Sequence, residues 1–97
     1  MAARNTDISL TTGAAVLLTD GAVSACRVQN QSGYTITLQA TASATPPSSR
    51  AGGVTMSPYG TLAADMTLAQ LFPGVGSGAL YLWAFVDIPS TASVSHA

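Results

Sequence analysis

Few residues of this chain could do chemistry, and their spacing already excludes most reactions. His96 is the sole histidine and Cys26 the sole cysteine among 97 residues. A Ser–His–Asp relay needs an imidazole held by a third group. His96 is the penultimate residue of the sequence, a position that ordinarily frays, so no base is expected there. Cys26 falls on the Cys26–Val28 face of an expected strand while Arg27 points to the opposite face. No histidine stands near it to draw off its proton, so it reads as a small buried hydrophobe. A single cysteine rules out an intrachain disulfide. One cysteine with one histidine also rules out a zinc cluster.

The carboxylates are Asp7, Asp20, Asp65 and Asp87, all isolated. Glycoside hydrolysis needs two carboxyl groups ~5–10 Å apart, and calcium loops need oxygen ligands at alternating positions. Neither spacing occurs. The run Gly74-Val75-Gly76-Ser77-Gly78 could suggest a phosphate cradle, but such a cradle follows a strand and opens a helix. This run stands between a proline and a strand, and the chain has no lysine to reach an anion. It reads as a loop. The expectation is a non-enzyme without metal or cofactor.

Recognition chemistry is left to aromatic rings and one cation. Tyr81, Trp83 and Phe85 alternate along an expected strand, opposite Leu80, Leu82, Ala84, Val86 and Ile88. The ring face is either a second core layer, a contact stripe for a protein partner, or a sugar-stacking platform. Pro46 to Gly53 is an expected exposed loop in which Pro46 and Pro47 lack amide donors. Within it, Arg50 offers a planar fork that can meet a partner's carboxylate bidentately. Tyr81, Trp83, Phe85, Arg50, Pro46 and Pro47 are the candidate interface residues.

The elements that would position them are strands. β-branched and aromatic residues are frequent, and turn residues recur every 8–12 positions, the spacing of a sandwich. Tyr34, Ile36, Leu38 and Ala40 share one face of a strand, with Thr35, Thr37, Gln39 and Thr41 on the other. Asp20-Gly21 suits a type I′ turn between a strand over 14–19 and a return strand over 23–30. Short strands are expected at Val54–Met56 and over 61–64, and an edge strand over 91–95. Leu68, Leu71 and Phe72 have helical spacing, with Thr67 as cap and Pro73 as stop. The fold class is a single antiparallel β-sandwich, Greek-key-like, with one short helical turn. Residues 1–7 read as a polar N-terminal arm, and 8–97 as the one domain.

Charge supplies the remaining constraint. Only 7% of residues are charged, 47% are hydrophobic and the net charge is −1. Ordinary soluble domains carry roughly 25% charged residues. Nothing here attracts nucleic acid or an anionic membrane. The longest apolar run, Ala79 to Val86, is far short of a membrane helix, and the first residues lack the apolar stretch of a signal peptide. A cytoplasmic chain, or one assembled there, is expected. A thin core and a charge-poor surface favour association with other copies.

Cys26-Arg27-Val28-Gln29-Asn30-Gln31-Ser32-Gly33 runs into Tyr34-Thr35-Ile36-Thr37-Leu38, then the Pro/Gly-rich loop from Thr45 to Gly53, and finally Leu80-Tyr81-Leu82-Trp83-Ala84. In this order of phrases the chain resembles the small β-sandwich capsid decoration (cement) proteins of tailed bacteriophages, from about Ile8 to Ser95. The resemblance implies a structural virion protein on the capsid exterior, assembled in the host cytoplasm. Its partner would be the major capsid protein, and it would commonly sit as a homotrimer near three-fold positions. It brings no catalytic residues and no cofactor. The alternative is a receptor- or glycan-binding virion module of a head fibre, tail or baseplate.

Overall fold

From Ile36 to Ala40 every second side chain is buried, the period-two signature of a strand with one face on a core. The structure, a computed structural model, describes residues 3–97. Its strands are β1 (Arg4–Leu10), β2 (Val16–Leu17), β3 (Arg27–Asn30), β4 (Ile36–Thr41), β5 (Val54–Met56), β6 (Thr61–Leu62), β7 (Tyr81–Phe85) and β8 (Ser90–His96). A one-turn helix α1 (Leu68–Leu71) and a 3-10 turn (Gly76–Gly78) precede β7. The strands form two antiparallel sheets, ordered β1-β8-β3-β6 and β2-β7-β4-β5. This is an all-β sandwich. Only the β4–β5 connection stays within one sheet; every other connection crosses to the opposite sheet, as Greek-key windings do.

The core lies between the sheets, where Val28, Ile36, Leu38, Leu82, Ala84, Ala92 and Val94 interlock. Burying a leucine such as Leu38 or Leu82 fully contributes about 2 kcal/mol. Helix α1 closes one side of it. Its Thr67 side chain accepts from the Gln70 amide, and the Gln70 side chain accepts from the Thr67 amide. This reciprocal capping box holds a helix too short to persist alone, and Leu68 anchors it in the core.

Four expectations are corrected. Residues 1–7 are not a free arm over their described part: β1 begins at Arg4 and pairs along β8 from Arg4↔His96 to Leu10↔Ser90. Polar side chains do not prevent this, because the ladder is made by main-chain groups. Met1 and Ala2 lie outside the described residues. Asp20-Gly21 does not join a hairpin. Gly21 does take positive φ, at 87°, but β2 pairs with β7 in one sheet and β3 with β8 in the other. The 91–95 segment is no edge, since β8 lies between β1 and β3. Tyr34 is off the buried face; it precedes β4 and is half exposed.

Candidate functional site

Strand β7 runs between β2 and β4, and both its faces are covered. Leu82 and Ala84 face the inter-sheet core. On the outer face Tyr81, Trp83 and Phe85 stand opposite Thr41, Gln39 and Thr37 of β4. Trp83 and Phe85 are nonetheless only 4% and 8% exposed. The chain supplies their cover. The loop over 42–53 folds back across this face, held where Gln39 Nε2 donates to Ala51 O at 2.6 Å. Gly53 makes the close approach possible, because a Cβ there would meet Leu38 O at 2.5 Å and Thr37 Cγ2 at 2.9 Å. Trp83 Nε1 donates to Thr41 Oγ1 at 2.8 Å, so the indole keeps its hydrogen bond under the roof.

The expected contact stripe is therefore divided. Trp83 and Phe85 are taken up by the chain itself, and Tyr81 is half-buried. Arg50 also has internal partners. Its guanidinium lies 3.1 Å from Asp87 Oδ1 and stacks 5.4 Å from the centre of the Phe85 ring. Pro46 is exposed and Pro47 partly so, on the outside of the same loop. Between Ala51-Gly52 and Leu71–Val75 lies a cleft of about 300 Å³ bordered by Gln39, with no charged side chain in its lining.

A second feature was not legible in the sequence. Asn30, at the end of β3, is fully buried. Its Nδ2 donates to Tyr34 O at 2.6 Å and Ser57 O at 3.1 Å. Its Oδ1 accepts from Ser32 N at 3.1 Å and Ser32 Oγ at 2.7 Å. One amide thereby ties the turn after β3 to the β5–β6 turn. Tyr34 and Tyr59 project from these joined turns, 50% and 66% exposed. Tyr59 takes φ 57°, a left-handed conformation uncommon for a bulky residue, while its amide donates to Ser32 O. The Asn30-Gln31-Ser32 sequence carries a turn signal, but the pairing of the two tyrosines depends on a contact between distant segments.

At the opposite end of β3, His96, Arg4, Arg27 and Cys26 serve the fold. His96 is 8% exposed rather than frayed, since β8 runs to that residue between neighbours on both sides. Its Nε2 accepts from the Asp20 amide at 3.0 Å, and Nδ1 lies 3.2 Å from Ala97 O. Arg4 donates to Leu18 O at 3.0 Å, and Arg27 to Ser93 Oγ at 3.3 Å. Burial pushes the Cys26 thiol up from 9.0 to about 11, with Arg27 and Arg4 opposing weakly. It is a poor nucleophile. Among the described residues no three His, Cys, Asp or Glu side chains converge as metal ligands would. No family model, no curated protein and no solved structure matches this chain.

Proposed function

We propose that this chain is a non-catalytic structural protein of a virion, a decoration (cement) protein on the outer surface of a bacteriophage capsid. Its partners are the major capsid protein and further copies of itself, with the homotrimer the arrangement that the sequence resemblance implies. The supporting observation is where the ionisable groups go. All three arginines, the histidine and the cysteine are engaged with the fold. A β-sandwich so poor in free charge has little to repel neighbours and little to offer a substrate. Many weak contacts suffice when several copies dock together.

With Trp83 and Phe85 covered, Pro46 and Pro47 on the outer loop are the parts of the candidate interface best able to meet a shell. Quantitative mass spectrometry of virions assembled with this chain tests the reading. The expected result is a copy number commensurate with the major capsid protein, and a few copies per particle or none overturns it. One observation favours the glycan-binding alternative. Tyr34 and Tyr59, exposed on joined turns, offer two ring faces to a sugar. Ring resonances of both tyrosines shifting together on titration with oligosaccharides would favour that alternative.

A further inference from the structure

The sandwich is open along one side. There β5 ends one sheet and β6 ends the other, and the Ser57-Pro58-Tyr59-Gly60 turn joins them. Val54 stands opposite Leu38 and Met56 opposite Ile36, so both face inward. Leu62, opposite Val28, faces inward from β6. Yet Val54 is 38% exposed, because no strand lies beyond β5 to cover it. The seam between the two edges is a groove of about 190 Å³ lined by Val54–Ser57 and Gly60–Leu62.

The main chain of β5 is placed to accept one more strand. Leu18 N donates to Leu82 O, so Leu82 faces β2 and its neighbours Tyr81, Trp83 and Phe85 face β4. Their partners Thr41, Gln39 and Thr37 turn toward β7, which leaves Ile36 and Leu38 to bond Met56 and Val54. By the same alternation Thr55 directs its N–H and C=O away from the sheet.

We propose that β5 is a contact between two copies of this chain, paired antiparallel about Thr55. A twofold axis there makes Thr55 and its counterpart exchange both N–H···O bonds. On the inner face it sets Val54 against the other copy's Met56, covering the half-exposed valine. On the outer face threonine meets threonine, a favourable cross-strand pair. Self-pairing is chosen over a foreign strand because this register is self-complementary in shape and polarity. No residue from Ala51 to Ala64 carries charge, so like charges never face each other. The other edges differ. A twofold at the middle of β1 opposes Asp7 to Asp7, and β2 and β6 are two residues each. β5 also lacks the lysine, proline or bulge that usually blunts an edge. The contact is small and closes at two copies, so it is separate from three-fold association and does not rest on the capsid reading.

Cross-linking tests it. In an antiparallel hydrogen-bonded pair the Cα atoms lie ~5.5 Å apart, within the ~4.4–6.8 Å a disulfide spans. Thr55→Cys under mild oxidation should give disulfide-linked dimers as the main product, while Asn5→Cys on β1 and Thr61→Cys on β6 should remain uncoupled. Buried Cys26 does not compete. Thr55→Pro removes only the outward N–H, keeps the ladder to β4, and should abolish the dimer in sedimentation while leaving the circular dichroism unchanged. Equal coupling at all three positions, or preferential coupling through Asn5→Cys, overturns the proposal. So does a monomer at all concentrations, or a trimer indifferent to Thr55→Pro. An added uncharged peptide that pairs with β5 while the chain stays monomeric overturns the choice of occupant.

Discussion

Asn30 and Thr19 are both buried polar side chains, yet the chain treats them oppositely. Asn30 makes hydrogen bonds through every donor and acceptor it offers to protein, and binds two turns that are 27 residues apart in sequence at Ser57 and Asn30. Thr19 is 1% exposed and its Oγ1 has no partner among the described residues. A buried amide that meets all its needs specifies geometry, because any displacement leaves several groups unpaired at once. A lone buried hydroxyl specifies nothing and only costs its desolvation. The β3–β4 end is thus organised by a polar knot. The corner around Thr19, His96 and Cys26 is organised by packing, with single hydrogen bonds from Arg4 and Asp20.

Removing the knot should have the largest effect. Asn30→Ala removes four hydrogen bonds, to Tyr34 O, Ser57 O, Ser32 N and Ser32 Oγ, leaves the Ser32 amide without a partner, and should cost about 2–4 kcal/mol in urea unfolding. A loss below about 1 kcal/mol would mean that water replaces the amide and that the contrast with Thr19 is false.

The corner should respond next, to alkali. Because the folded thiol of Cys26 titrates near 11 and the unfolded one near 9.0, the folded state holds its proton more tightly. That stability is fully present below 9.0 and is lost as the pH rises through about 11. The loss amounts to up to about 2–3 kcal/mol. Denaturation curves across that window should fall more steeply for the native chain than for Cys26→Ala. Parallel curves would place the thiol in contact with water.

Thr19→Val should have the smallest effect and the opposite sign. It removes an unpaired hydroxyl at equal volume, so stability should be unchanged or raised by up to about 1 kcal/mol. A loss as large as that of Asn30→Ala would reveal a hidden partner for Oγ1 and end the comparison.

Much of the scaffold was legible from local pattern. Period two marks β4, Thr67 marks the helix start, and Val54–Met56 is bounded by glycine and proline signals. The candidate site was less so. Trp83 and Phe85 presented the same alternation whether a partner or a loop covered them, and only the return of residues 42–53 across the sheet distinguishes the two. Arg50 likewise offered a free fork until Asp87 was brought beside it. Tyr34 kept the strand's parity but lies before the ladder begins, so parity alone assigned it to the wrong side.

By itself the amino-acid sequence determined that the chain is all-β, that it has a single cysteine and a single histidine, and that it is poor in charge. These follow from residue type and from near neighbours, whose steric and solvation preferences act within a few residues. Tertiary structure alone decided that the first strand pairs with the last, that the chain crosses between sheets at nearly every turn, and that His96 is buried. Those choices depend on which main-chain edges remain unpaired once the core has formed. Main-chain hydrogen bonds are nearly indifferent to side-chain identity, so no short stretch of residues encodes them.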